Sequence, residues 1–263
     1  MQLEAEPVAL RRARFVVAYD GTHFHGFAET PNHRSVMGVL RAAIERVAGQ
    51  PVELVGAGRT DAGVHAWGQV VSGDLPAALD LAGLQHRVNR MCGPTVVVRS
   101  AQWADDREFS ARFSATYRHY RYDVLNAPVP VPMLAPVVWH VAAPLNLWAM
   151  QLACDPLIGE HDFSSFCRAP KVRDDQPVAS LRRRVMLAEW NEVHSDHGPL
   201  LRFQIRANAF CHQMVRSIVG TMVDIGHGKV HPGDMRGIML ARNRSVAGQV
   251  APPHGLTLWD VGY

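Results

Sequence analysis

The densest cluster of side chains able to do chemistry is the run Gly56-Ala57-Gly58-Arg59-Thr60-Asp61-Ala62-Gly63-Val64-His65-Ala66. Its carboxylate stands among glycines, which tolerate positive φ and let another molecule approach the backbone closely. Fixed and desolvated at a cleft, Asp61 can attack an electrophilic carbon, because a held carboxylate becomes a usable nucleophile. Arg59, two positions earlier, adds a planar fork suited to phosphate and base edges. The same run also reads as an ordinary turn in which an Asp bonds its own backbone. Local composition leaves both readings open.

Metal and redox chemistry find less support. His227 and His231 stand four apart, the spacing of two zinc ligands on a helix, but Gly226, Gly228 and Pro232 interrupt such a helix and no Glu follows the first His. His23, His25, His194 and His197 fall at expected turns, so no metal site is expected. Cys92, Cys154, Cys167 and Cys211 are widely spaced with no Cys-x-x-Cys pair. Free thiols are expected rather than a disulfide framework or a zinc ribbon. No glycine-rich dinucleotide fingerprint is present, and no cofactor is expected.

The string Gly58-Arg59-Thr60-Asp61-Ala62-Gly63-Val64-His65-Ala66 resembles the catalytic motif of the tRNA pseudouridine synthase A family, and further matches follow in the family's order. Tyr19-Asp20-Gly21-Thr22, Phe24 and Gly26 resemble its first strand and turn. Phe109-Ser110-Ala111-Arg112-Phe113-Ser114-Ala115-Thr116 and Tyr120-Arg121-Tyr122 resemble the approach to its second core strand and the strand itself. Gly159-Glu160-His161-Asp162-Phe163-Ser164-Ser165-Phe166 is similar to a GEHDF-SF stretch. Asn208-Ala209-Phe210, His212 and Met214 to Gly220 are similar to the start of a long helix, and Gly255-Leu256-Thr257-Leu258, Val261 and Tyr263 to the last strand. The chain departs from the pattern at Phe27-Ala28, Met37 and Cys211-His212-Gln213. The resemblance covers residues 14–263.

The resemblance implies an enzyme without cofactor that isomerises uridine to pseudouridine at positions 38, 39 and 40 of the tRNA anticodon stem-loop, as a homodimer with the RNA lying across both subunits. It assigns Asp61 as nucleophile, Tyr120 as the aromatic beside the target base and Arg216 as the cation that offsets the penalty on a desolvated carboxylate. The target base must be turned out of its stack at a cost of a few kcal/mol. Arg59 is placed by the motif to fill the vacancy or hold the flipped nucleotide. His65 is expected to line the site, and Arg118 and Arg121 to meet the RNA. A glycosidase is the rival carboxylate chemistry, but it needs a second acid that the motif lacks. A purely RNA-binding module on a similar scaffold would show surface aromatics in a string, and none is seen.

The elements that must carry these groups are legible from periodicity. Residues 14–19 read as a strand ending in an Asp-Gly turn signal. Val36, Val39, Leu40, Ala43, Ile44 and Val47 mark a helix stopped by Gly49 and Pro51. Strands over 52–58 and 64–71, a helix over 79–91 and a strand over 95–103 complete a split βαβ order. A related order follows: strands at 117–125 and 137–141, a helix at 145–158, a strand pair at 178–193 and 200–207 turning at Asp196-His197-Gly198-Pro199, helices at 212–225 and 232–241, and a strand at 256–261. Along the 117–125 strand, Arg118, Tyr120, Tyr122 and Val124 share one face and His119, Arg121 and Asp123 the other. Tyr122 is expected in the core. On the 212–225 helix, Arg216 falls just beyond the apolar arc of Met214, Val215, Ile218, Val219, Met222 and Val223.

The expected fold is therefore α+β: two split-βαβ-like halves, residues 1–108 and 109–263, with mixed or antiparallel sheets side by side around a central cleft; the resemblance implies the pseudouridine synthase fold. Of 263 residues, 48% are apolar and 19% charged, which suits a packed core and not disorder. Formal charge is only +3, but all basic residues except Lys171 and Lys229 are Arg. Phosphate contacts are expected from Arg11-Arg12-Arg14, Arg118 and Arg121, and from Arg182-Arg183-Arg184, which a strand must divide between two faces. No run approaches the ~18 apolar residues of a membrane span. Acidic residues at the N-terminus stand where a secretory signal carries base, so a cytoplasmic protein is expected.

Overall fold

The computed structural model describes residues 9–168, 180–195 and 198–263. The N-terminal reading, Lys171, the first residues of the 178–193 strand and the turn residues Asp196 and His197 lie outside them. The chain forms two compact units, one reaching Ala115 and including Tyr263, the other Thr116–Gly262. The division falls beyond the expected 108/109 because the segment from Phe109 packs on the first unit. Arg12 donates to the Phe109 carbonyl (2.5 Å), the Ala111 amide to the Ser72 hydroxyl (3.0 Å), and the Tyr263 hydroxyl to the Ala111 carbonyl (2.8 Å).

The first unit follows the expected order: β1 (Leu10–Tyr19), α1 (Val36–Ala48), β2 (Leu54–Gly56), β3 (His65–Pro76), α2 (Leu81–Cys92) and β4 (Val96–Trp103). The strands are ordered β4-β1-β3, all antiparallel, with β2 on the other edge of β3. Ala13, Phe15, Val17 and Tyr19 alternate along β1 and are buried, which is the period of a strand with one covered face. Helices α1 and α2 pack on each other, and α2 on β4. Ser35 caps α1 by accepting from the Gly38 amide and Gly49 ends it at φ 73°, while Asp80 caps α2. Met37 is buried with Val36, Leu40, Ala43 and Ile44, whereas Val39 and Val47 are only half-buried. The apolar face is thus turned slightly from the expected arc.

The second unit contains β5 (Tyr117–Asn126), β6 (Trp139–Val141), α3 (Leu147–Leu152), β7 (Gly159–Asp162), β8 (Arg182–Ser195), β9 (Gly198–Ala207), α4 (Met214–Gly226), α5 (Asp234–Leu240) and β10 (Leu256–Gly262). Its strands run β10-β5-β9-β8-β7, antiparallel, and β6 pairs with β5 in parallel. Tyr120, Tyr122 and Val124 of β5 share a buried face with Phe203 and Ile205 of β9 and Trp190 of β8. Helix α4, buried along most of its length, lies on this face, its Met222 sulfur taking the Trp190 indole N–H. The expected 145–158 helix stops early at Leu152 and gives way to a 3-10 turn at Asp155–Leu157. Pro156 lacks an amide donor and keeps the residue before it out of a regular helix. Strand β7 has no β-forming residues of its own and forms by pairing with Arg182 to Val185.

The cysteines correct the free-thiol expectation. Cys167 and Cys211 are joined, with Cα atoms 5.8 Å apart, while Cys92 and Cys154 are free and buried. The pair stands 44 residues apart and meets only because the 3-10 turn Ser164–Phe166 folds against the approach to α4. Spacing could not disclose it.

Candidate active site

The glycine-flanked turn is a braced structure. Asp61 is half-buried at the head of a turn in which the Val64 amide donates to its carbonyl (3.2 Å), and Gly63 takes φ 77°. That φ is unfavourable for any side chain bearing a Cβ. Thr60, just before the carboxylate, is buried. Its hydroxyl lies 2.7 Å from the Tyr19 hydroxyl, and its carbonyl accepts from the Phe27 amide (3.1 Å). The Gln69 amide donates to the Gly58 carbonyl (2.8 Å), and Ala57 joins the end of β2 to Val70. A Cβ at Gly21 would stand 2.0 Å from the Val64 carbonyl oxygen, so only glycine lets the two turns touch. Every one of these braces is neutral.

Of the other groups expected here, Arg59 is exposed beside Asp61 and His65 is buried behind it. The Gly21 amide lies 3.1 Å from His65 Nδ1 and donates to it. Asp20 lies 3.2 Å from the same nitrogen. Burial works to raise the Asp20 carboxyl, but the hydroxyl and amide of Thr22, with His65 and His23, hold it below its ordinary value. His65 is thus embedded among the braces of the turn. Tyr19 and Thr60 were quoted only as parts of matching stretches and Gln69 not at all, because the contacts that join Tyr19 to Thr60 and Gln69 to Gly58 are made in the fold.

In the second unit, Tyr120 is 7% exposed and meets the Phe210 ring edge-on at 5.0 Å. Arg118, on the same face of β5, donates to the Asn208 carbonyl (2.8 Å). Asn208 is pinned in turn, its side-chain oxygen accepting from the Arg184 and Ala209 amides. Arg216 lies in the first turn of α4. Its Nε donates to the Ala251 carbonyl (2.7 Å), and its own carbonyl accepts from the Ala251 amide (3.1 Å). Gly220, one turn on, packs so closely that a Cβ would stand 1.8 Å from the Gln249 carbonyl oxygen. Burial pushes the Tyr122 hydroxyl up while Arg216 pulls it down. The Tyr122 hydroxyl donates to the Pro252 carbonyl.

Arg121 goes the other way. It stacks 3.6 Å over the Trp259 ring, and its Nε donates to Gln204 on the opposite face, as the strand period requires. Arg182, Arg183 and Arg184 likewise alternate, with only Arg183 half-buried. Among the described residues no group of three or more His, Cys, Asp or Glu could hold a metal ion, and no helix is long and apolar enough to cross a membrane.

The first unit of this α+β protein holds an acidic turn closely, and the second fixes an arginine and a tyrosine. A family model described as tRNA pseudouridine synthase matches residues 15–113 and 153–263. The tRNA pseudouridine synthase A of Brevibacillus brevis is 39% identical over 254 residues, covering 97% of this chain and all of that one. The protein of the same name from Geobacillus kaustophilus is 40% identical, covering 96% and 95%, and that from Gluconobacter oxydans 37%, covering 98% and 92%. The chain belongs to the tRNA pseudouridine synthase family, and with it to the isomerases that act on RNA.

Proposed function

We propose that this enzyme converts uridine to pseudouridine at positions 38, 39 and 40 of the tRNA anticodon stem-loop, with Asp61 as nucleophile. The bond from ribose C1′ to uracil N1 breaks and one from C1′ to C5 forms. N1 gains a proton and C5 loses one, so no electron acceptor is needed. Attack at C1′, attack at C6 and departure through a glycal all start from the same carboxylate. The observation that carries the reading is the bracing of the Asp61 turn, since a reacting carboxylate must be held within a fraction of an ångström. An Asp that only closed a loop would not require four further contacts from β1, β3 and the turn at Gly21 to Phe27.

In this reading Arg59, exposed beside the carboxylate, holds the nucleotide turned out of the stem-loop. Tyr120 lies against the uracil and serves the proton transfer at C5, and Arg216 sustains the charge of Asp61. The anchoring of Arg216 to Ala251 supports a fixed rather than a roaming cation. Arg118 and Arg121 contribute to RNA binding, and the enzyme works as a homodimer in the cytoplasm, where mature tRNA resides. Asp61→Asn preserves shape and removes the nucleophile. Pseudouridine mapping of tRNA treated with this variant is expected to show no product, with RNA binding largely retained. Product formation by the variant overturns the assignment.

A further inference from the structure

Two irregularities flank β1 at the same level of the first unit's sheet. On one side, Val17 pairs with Gln69 and Tyr19 with Ala66, so β3 carries an extra residue around Trp67 and Gly68. On the other, Val16 pairs with Ser100 and Val17 with Val98, so Arg99 is the extra residue of β4. Bulges of this kind bend a strand and re-aim a side chain. Here they bring Trp67 and Arg99 together across β1. The Arg99 guanidinium carbon lies 3.8 Å over the Trp67 ring, and its Nη1 donates to the Trp67 carbonyl (3.1 Å). One guanidinium therefore holds both the ring and the backbone of the tryptophan.

This contact does little for the core. Trp67 stays 46% exposed between buried neighbours, Ala66 and Gly68. Arg99 is also exposed, and among the described residues no carboxylate forms an ion pair with it. A flat ring fixed at the surface with an uncompensated cation against it is the chemistry that takes an unpaired nucleobase and its phosphate. Every base offers a π-face, and the guanidinium satisfies the adjoining anion. Prior fixing of the indole lowers the ordering cost of binding. The location fits too. Trp67 is the third residue of the strand that leaves the Asp61 turn, about 10 Å along the chain from Val64 at strand rise.

We propose that Trp67 and Arg99 form a stacking shelf for an unpaired base neighbouring the target nucleotide. The shelf rests on the reading of this chain as a uridine-isomerising enzyme and adds to it a substrate contact outside the reacting atoms. Its action is on affinity, through a base already single-stranded or released when the loop opens.

The test compares Trp67→Ala, Trp67→Phe and Arg99→Gln with wild type. The readouts are binding to an RNA hairpin with a single-stranded loop and to a blunt RNA duplex, together with steady-state pseudouridine formation. Trp67→Ala is expected to weaken hairpin binding about 5- to 150-fold, the range for removing one stacked base, and to leave duplex binding unchanged. The loss should sit in KM more than in the saturating rate. Trp67→Phe should recover most of it, and Arg99→Gln should lose less than Trp67→Ala while lowering the salt dependence of binding. Hairpin binding by Trp67→Ala equal to wild type, an equal loss on the duplex, or a change of oligomeric state in place of affinity overturns the shelf. Failure of the wild-type protein to form pseudouridine defeats the underlying reading instead, so the two failures are separable.

Discussion

Removing one hydroxyl tests whether the Asp61 turn is held from behind. Tyr19→Phe keeps the ring, 5% exposed, and deletes only the oxygen that lies 2.7 Å from the Thr60 hydroxyl. Thr60 is 7% exposed, so its hydroxyl is left in a buried place without that partner. Leaving such a group unsatisfied costs about 1–3 kcal/mol. For a chain of this size each kcal/mol lowers the melting temperature by about 2–4 °C. Burial also holds the Tyr19 hydroxyl protonated well above the ordinary tyrosine range, so the bond does not titrate between acid and neutral pH.

The catalytic consequence is larger than the structural one. Thr60 directly precedes the proposed nucleophile, and a displacement of about 1 Å costs around a hundredfold in rate. Tyr19→Phe is therefore expected to lower the single-turnover rate ten- to a hundredfold with little change in RNA affinity. Thr60→Val makes the reciprocal deletion. Combining the two replaces both partners with apolar groups of similar shape, which is close to neutral for stability. Denaturant unfolding should show the double variant recovering most of what each single loses, while its rate stays low because the turn is still untied. A single-turnover rate for Tyr19→Phe equal to wild type refutes the bracing argument, and so do strictly additive stability losses in the double variant.

The remaining expectations concern the second unit. The Cys167–Cys211 bond spans 44 residues, and chain-entropy arithmetic for a loop of that length gives about 4 kcal/mol of stabilisation. Unfolding the isolated protein without reductant should expose two thiols and with reductant four, and reduction should lower the denaturant midpoint; four thiols in unreduced protein refute the pairing. His119 is 6% exposed, and burial with the nearby charges of Arg206 and Arg121 pushes its imidazole down to about 4. Between its ordinary 6.5 and about 4 the unfolded chain binds a proton that the folded one refuses, so the stability given by the neutral ring is complete above 6.5 and is lost as pH falls through that window. His119→Gln should flatten this acid slope in denaturant midpoints taken at about pH 7 and about pH 5, and an unchanged slope would exclude His119 as its source.

The sequence disclosed what periodicity and motif carry. The alternation Ala13, Phe15, Val17, Tyr19 is a one-face strand in both readings, and Tyr122 lies in the core where its strand phase puts it. The order of the first unit was legible because each element has its own period and its own stop. What stayed hidden depends on neighbours remote in sequence. Strand β7 exists only through β8, and the Cys167–Cys211 pair only through a turn folded against the approach to α4. The 145–158 helix was read too long because helical spacing was counted across Pro156. His65 could be named from the motif, but its occupation by the Gly21 amide follows from a turn 44 residues earlier that glycine alone lets come so near.

The distribution of charge around the two kinds of contact has a physical logic. The turn that carries Asp61 is tied by hydroxyl, amide and carbonyl groups at Tyr19, Thr60, Gln69, Gly58 and Phe27. Ion pairs in place of these braces would respond to salt and pH. Neutral braces are less sensitive to both, although the Asp20 carboxylate, 3.2 Å from His65, adds a charged group beside them. Arginine instead stacks on the exposed ring of Trp67 and on the half-buried ring of Trp259, and in the proposed reading these meet RNA, where sensitivity to salt is ordinary behaviour. In the proposed reading, placement of the reacting carboxylate thus rests mainly on neutral contacts and capture of the RNA on arginines, so a change in salt is expected to alter the second more than the first.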